Sequence, residues 1–310
     1  MTDIIVRPMI AGDLAEATRI YRLAFGTFLG APDPARFRLD IRALETRFAT
    51  DPGTAFVAER HGRLLGSVIG MDWGSQFVVG PLTVDPEFWR LGVARRLTAA
   101  ILAIADQRKA ALVSLFTFPQ SASHLRLYEG FGFVPMYLTS IMEKSVRAGG
   151  ARPRLVSDLT PTGQAVAIER ARELGDRVFP RLDLSREIRS IEGQRLGETA
   201  LLKDPGALSG FAICHVGAGT EAGEGVLFVK FATVSPGAAQ AFERLLDAVE
   251  ALAAERGVQR IAAGVNTGRR DAYRRMLARG FRATAVGVAM HRPETPGTLR
   301  PDVYMIDDWR

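Results

Sequence analysis

The chain has 310 residues, 47% of them apolar, which is enough hydrophobic side chain for proper cores and excludes a disordered chain; the length itself suggests two domains. Its net charge of +6 is almost all arginine, since lysine stands only at 109, 144, 203 and 230, and the arginines are scattered among acids, which disfavours a nucleic-acid partner and suits a small anionic ligand. No apolar run nears the ~20 residues that span a bilayer, MTDIIVRPM does not read as a signal peptide, and the single Cys214 excludes an internal disulfide, so a cytoplasmic protein that avoids membranes is expected.

Residues 4–7 read as a first strand, and Asp13 is placed to cap a helix over 13–25 with Leu14, Ala17, Ile20, Tyr21 and Ala24 on one face. A Gly- and Pro-rich loop, 26–34, precedes a second helix over 35–48. Residues 54–59 and 64–73 alternate as two strands about the turn His61-Gly62-Arg63. The apolar strand 77–84 ends in a turn, and a helix from Gly92 to about Arg108 follows with Leu97, Ile101, Ile104 and Ala105 at helical spacing. A buried-type strand over 111–118, a short helix over 121–130 and a strand over 133–144 close the first unit. SVRAGGARPR, 145–154, has the composition of a linker, dividing the chain into 1–146 and 155–310.

The second unit repeats the first. Thr233-Val234-Ser235-Pro236 matches Thr83-Val84-Asp85-Pro86, the helix 236–256 matches the one after Gly92, and Met276 to Phe281 matches Tyr128 to Phe133. Aligned without gaps, Gly92 becomes Phe242, whose side chain would block approach to the backbone. The segment 301–310 suggests a further strand that packs at the cleft between the units.

The stretch from Trp89 to Arg95 carries the chemistry. Small residues at a helix start leave backbone N–H groups unpaired at the positive end of the helix dipole, a receptor for phosphate, and Arg90 and Arg95 add charge. LTVDPEFWRLGVARRL, 82–97, resembles the acyl-CoA-binding motif of the GNAT superfamily of N-acetyltransferases, and SHLRLYEGFGF, 123–133, resembles that superfamily's closing motif. Gly92 and Ala94 fit the small positions; Trp89 stands first in the motif with Arg90 one place on, and Ser121 stands where the superfamily often has Asn.

The resemblance implies an α/β fold of two tandem GNAT-like modules, each a mixed, mostly antiparallel sheet flanked by helices, with a splayed central strand pair. It implies acetyl-CoA as co-substrate, held along Leu82, Thr83 and Val84 at the pantetheine and by Trp89, Arg90, Leu91, Gly92, Val93, Ala94 and Arg95 at the pyrophosphate, with Ser121 as a further contact. Tyr128 would then serve the leaving thiolate as proton or hydrogen-bond donor, while Met276 in the second copy cannot. His124, Glu59, Asp72 and a water chain all remain open as the base. The expected reaction is direct acetyl transfer to an amine of a small molecule; a non-catalytic acyl-CoA-binding or scaffold protein, and transfer to a protein amine, are the alternatives. The second module shapes the acceptor pocket or supplies a homodimer surface. Loops 26–34 and 180–198 would set the acceptor. Cys214 reads as a buried thiol with His215 on the opposite strand face, and no metal site is expected.

Overall fold

Alternating apolar residues in the strands and 3.6-residue spacing in the helices resolve into two copies of one element order. In the computed structural model, which describes residues 4–147, 149–204, 207–307 and 309, the first copy runs β1 (Ile5–Pro8), α1 (Leu14–Phe28), α2 (Ala43–Thr50), β2 (Ala55–Arg60), β3 (Arg63–Trp73), β4 (Gln76–Val84), α3 (Val93–Gln107), β5 (Leu112–Thr117), α4 (Ala122–Glu129) and β6 (Val134–Ser145). The second runs β7 (Arg154–Leu155), α5 (Pro161–Val178), α6 (Ser185–Gln194), β8 (Gly197–Asp204), β9 (Ala207–Val216), β10 (Val226–Val234), α7 (Ala239–Glu255), β11 (Arg260–Asn266), α8 (Arg270–Ala278) and β12 (Arg282–Arg292), followed by β13 (Met305–Ile306).

One continuous sheet joins them, in the order β1-β2-β3-β4-β5-β12-β6-β11-β10-β9-β8-β7, with β13 added on β10. Each copy's last strand crosses over: β12 pairs with β5 from Val288↔Thr117 to Arg292↔Val113, and β6 pairs with β11 from Thr139↔Asn266 to Ser145↔Arg260. β12 therefore stands in the sheet of the first copy and β6 beside that of the second. Gly287 is the residue that admits β12, since a Cβ there would stand 2.1 Å from the Phe116 ring.

Three of the five hydrophobic clusters among the described residues follow from this layout. Leu97, Ile101 and Ala105 bury one face of α3 against Phe77, Val79 and Leu115. Leu245, Val249 and Leu252 do the same for α7 against β10 and β11. A third core lies between the copies, where Met71, Trp73 and Val78 meet Leu182, Phe211 and Phe231. The Trp73 and Phe231 rings cross edge-to-face at 5.5 Å. Burial of a large apolar side chain contributes about 1.5–3 kcal/mol, so this core binds the halves firmly. Among the described residues no helix is long and apolar enough to cross a membrane.

Two local expectations need correction. Residues 35–48 do not form one helix: a single turn over Pro34–Arg36 is followed by an irregular stretch, and α2 begins only at Ala43. The stretch is drawn out to dock on the second copy, where the Gly219 N–H donates to the Asp40 carbonyl, the Glu224 N–H to the Asp40 carboxylate and the Arg42 N–H to the Thr220 carbonyl. Asp13 does not cap α1; its carboxylate accepts from the Ile10 N–H and from Arg7.

Candidate active site

The sheet opens at one place in each copy. β4 and β5 pair in parallel only from Gln76↔Leu112 to Val79↔Leu115, and β4 then leaves its neighbour. At the same point its register on β3 slips, leaving Gly80 and Pro81 opposite Ile69 as a bulge. Beyond it Leu82, Thr83 and Val84 pair with β3 alone, so their other edge faces an open cleft. An edge of this kind can pair with the amides of an extended ligand.

The cleft leads to the start of α3. Gly92 is its N-cap with φ +77°, a left-handed conformation that glycine adopts at little cost, and no side chain caps the helix. Arg90 is also left-handed, at φ +68°. Among the described residues the N–H groups of Arg90 through Arg95 have no hydrogen-bond partner, and the helix's own ladder begins with Arg96 donating to the Gly92 carbonyl. Arg90, Leu91, Gly92 and Arg95 are exposed, Val93 is buried against the core and Ala94 is half-buried. Unpaired donors at the positive helix end make a seat for an anion.

Trp89 stands apart from that seat. The residue is 42% exposed and its Nε1 donates to the Val84 carbonyl at 2.8 Å, tying the turn back onto β4. Ser121 is the N-cap of α4, its hydroxyl accepting from the His124 N–H at 3.4 Å. Arg95 lies over the Phe131 ring at 5.3 Å.

Tyr128 shares one core cluster with Val84, Phe88 and Val93, and Leu82 and Ala94 pack against it. Burial pushes its phenol above the ordinary value, so the hydroxyl holds its proton. His124, one turn earlier on α4, projects elsewhere: its ring lies 4.9 Å from Phe28 and 6.3 Å from Phe118, in a run of rings that continues to Phe25 and Tyr21 on α1. Burial lowers its pKa, which favours the neutral imidazole.

Glu59 and Asp72 lie elsewhere. Glu59, on β2, is bound by Arg7 of the edge strand β1, and Asp72, at the far end of β3, by Arg108. Cys214 is buried and its thiol is pushed up by desolvation. Sequence reasoning missed Arg47, a buried α2 side chain whose Nη1 donates to the Gly80 carbonyl at 2.9 Å. An arginine one turn after Leu44 on an apolar helix face, and Gly-Pro inside a strand, were the available signals.

The second cleft is closed. β10 and β11 also part, after Val229↔Ala263, but β13 lies in the gap, pairing Ala232↔Ile306 and Thr233↔Met305 on β10 while the Asp307 N–H donates to the Gly264 carbonyl of β11. The gapless match of Gly92 with Phe242 is corrected here. The connection into the helix has eight residues (85–92) in the first copy and four (235–238) in the second, so Ala238 is the N-cap and Phe242 lies inside α7 against Tyr304.

A parallel strand pair that splays beside an uncapped glycine turn is the geometry of a GNAT fold. Residues 17–133 match the Acetyltransferase (GNAT) family, and the first half of the chain contains a GNAT acetyltransferase domain. A mycothiol acetyltransferase of Thermomonospora curvata is 35% identical over 127 residues, 38% of this chain and 40% of that protein. The chain thus spans about two fifths of the length of the curated relatives it matches. Over the whole chain the fold is that of a putative acetyltransferase from Pyrococcus horikoshii, with TM-score 0.72, 14% identity and coverage of 100% of this chain and 96% of that one. A tandem GNAT protein from the clavulanic acid biosynthesis pathway aligns with TM-score 0.55 and 16% identity over 93% of this chain and 98% of its own.

Proposed function

We propose that this chain is a cytoplasmic N-acetyltransferase that moves the acetyl group of acetyl-CoA directly to an amine of a small molecule, using the first cleft alone. The observation that carries this reading is the row of unpaired N–H groups from Arg90 to Arg95 beside the open edge of Leu82, Thr83 and Val84. The pyrophosphate would take the amides, Arg90 and Arg95, and the pantetheine the strand edge. Trp89 supports the turn, and Ser121 holds α4, and with it Tyr128, at the cleft.

The amine nitrogen attacks the thioester carbonyl, and the C–S bond breaks as the tetrahedral adduct collapses. Tyr128, buried in the core cluster that Leu82 and Val84 share, would serve the departing sulfur. The thiolate of a thiol with ordinary pKa near ~8.5 is a weaker base than a phenolate raised above ~10, so the phenol keeps its proton and donates a hydrogen bond to the thiolate. Neutral His124, its ring among Phe28 and Phe118 and turned from Tyr128, would take the ammonium proton through a water chain. The rings of Phe28 and Phe118 beside it favour an acceptor with an apolar body near its amine. The likeness to a mycothiol acetyltransferase supports a small-molecule acceptor over a protein amine.

The test is release of free CoA thiol from acetyl-CoA across an amine library. Tyr128→Phe keeps the ring and loses one hydrogen bond to a charged sulfur, about 1.5–3 kcal/mol, so turnover should fall roughly 10- to 100-fold with the melting temperature unchanged. A mutant as fast as wild type would remove Tyr128 from the chemistry. Tight acetyl-CoA binding with no thiol release for any amine would favour an acyl-CoA-binding protein.

A further inference from the structure

The two strand bulges of the clefts are equivalent and are wired together. Counting from the matched Thr83-Val84 and Thr233-Val234, Gly80 corresponds to Lys230. β10 also slips register there, between Val229 and Phe231. Lys230 is buried, and its Nζ meets Glu221 at 2.7 Å and Glu187 at 3.0 Å. Glu187 in turn accepts from Trp73 Nε1 at 3.1 Å. Glu221 accepts from Arg47 Nε at 3.0 Å, and Arg47 reaches the Gly80 carbonyl. Burial alone would push the Glu221 carboxyl up, but Arg47 and Lys230 outweigh it and hold it ionised.

We infer that the second half, its own cleft filled, positions the donor-binding strand of the first through the buried chain Lys230–Glu221–Arg47–Gly80. The inference rests on the proposed function for its consequence, since β4 beyond Gly80 is the edge assigned to the pantetheine. Gly80 is where β4 has lost β5 and slipped on β3, so neither neighbouring strand fixes its direction. A guanidinium does so instead, and that guanidinium is aimed by a carboxylate of the other half. The planar fork of Arg47 holds Glu221 through Nε and the Gly80 carbonyl through Nη1 in one fixed geometry, which the flexible ammonium of a lysine does not reproduce. Arg47 and Glu221 are positioning residues; neither is assigned a contact with substrate.

The test is the double variant Arg47→Met/Glu221→Met in the full chain, with Arg47→Lys beside it. Replacing both charges of a buried pair by apolar side chains is commonly tolerated, and Lys230 keeps Glu187. Without any ligand, amide hydrogen exchange over residues 80–84 should quicken at least tenfold in the double variant and less in Arg47→Lys, with residues 226–229 unchanged. The apparent KM for acetyl-CoA should rise more than kcat falls. Exchange over 80–84 equal to wild type would overturn the inference, as would exchange quickened evenly through the chain with a lowered melting temperature, the mark of a structural role. Failure of the wild type to bind acetyl-CoA would instead strike the proposed function, because the exchange comparison needs no donor.

Discussion

The two clefts differ at matched positions, and the differences agree. Where the first has Ser121 as the cap of α4, the second has Arg269 at the start of α8; where the first has Tyr128, the second has Met276. Arg269 is fully buried, paired with Asp307, with Nη1 on the Met305 carbonyl and Nε on the Thr298 carbonyl. It therefore grips the segment that fills the second cleft. The turn is closed as well, the Gly237 N–H donating to the Asp302 carbonyl at 2.8 Å, whereas the N–H groups around Gly92 stay unpaired. A duplicated fold thus leaves one cleft open and seals the other with its own chain, satisfying by β13 the backbone groups that the splay leaves unpaired.

That contrast can be broken from either side. Asp307→Ala should have the largest effect: it strands Arg269 as an uncompensated buried charge, a loss of about 3–5 kcal/mol, read by chemical denaturation. A loss below ~1 kcal/mol would mean that the segment is not held by this pair. Acid should follow. Burial lowers His215 to about 3 and His291 to about 4. Both rings bind protons more readily in the unfolded chain, so the stability they contribute above pH 7 is lost as pH falls from ~6.5 towards 4, by at most about 1.4 kcal/mol per pH unit for each. A denaturation midpoint that stays flat between pH 7 and 5 would contradict this. Gly92→Phe acts on the other cleft: it puts a large side chain at a left-handed, exposed position and should weaken acetyl-CoA at least ~100-fold, about 2.7 kcal/mol, as read by calorimetry on the folded protein. Undiminished affinity would place the seat elsewhere.

The order of strands and helices in the first copy was legible because each element carries its own period, whereas 180–198, read as a loop, holds α6. Leu97, Ile101 and Ala105 declare α3, and the repeated Thr-Val and Gly-Phe anchors declare the duplication. The exchange of β6 and β12 was not legible, because which edges meet is decided by shape, as at Gly287 and Phe116, and not by local pattern. The uncapped turn proposed to seat the phosphate was readable from Gly92 and Ala94, since exposed backbone donors demand small residues in sequence. Arg47 and Gly80 were not, as their meeting needs α2 folded over a bulge 33 residues away. Phe242 was misplaced because a gapless comparison cannot see that the second turn is four residues shorter.

Amide hydrogen exchange with and without acetyl-CoA tests the whole account most directly. Added donor should slow exchange across residues 82–95 and leave 232–242 as they were. Protection at 232–242, or none at 82–95 under saturating acetyl-CoA, would contradict a single working cleft at the start of α3.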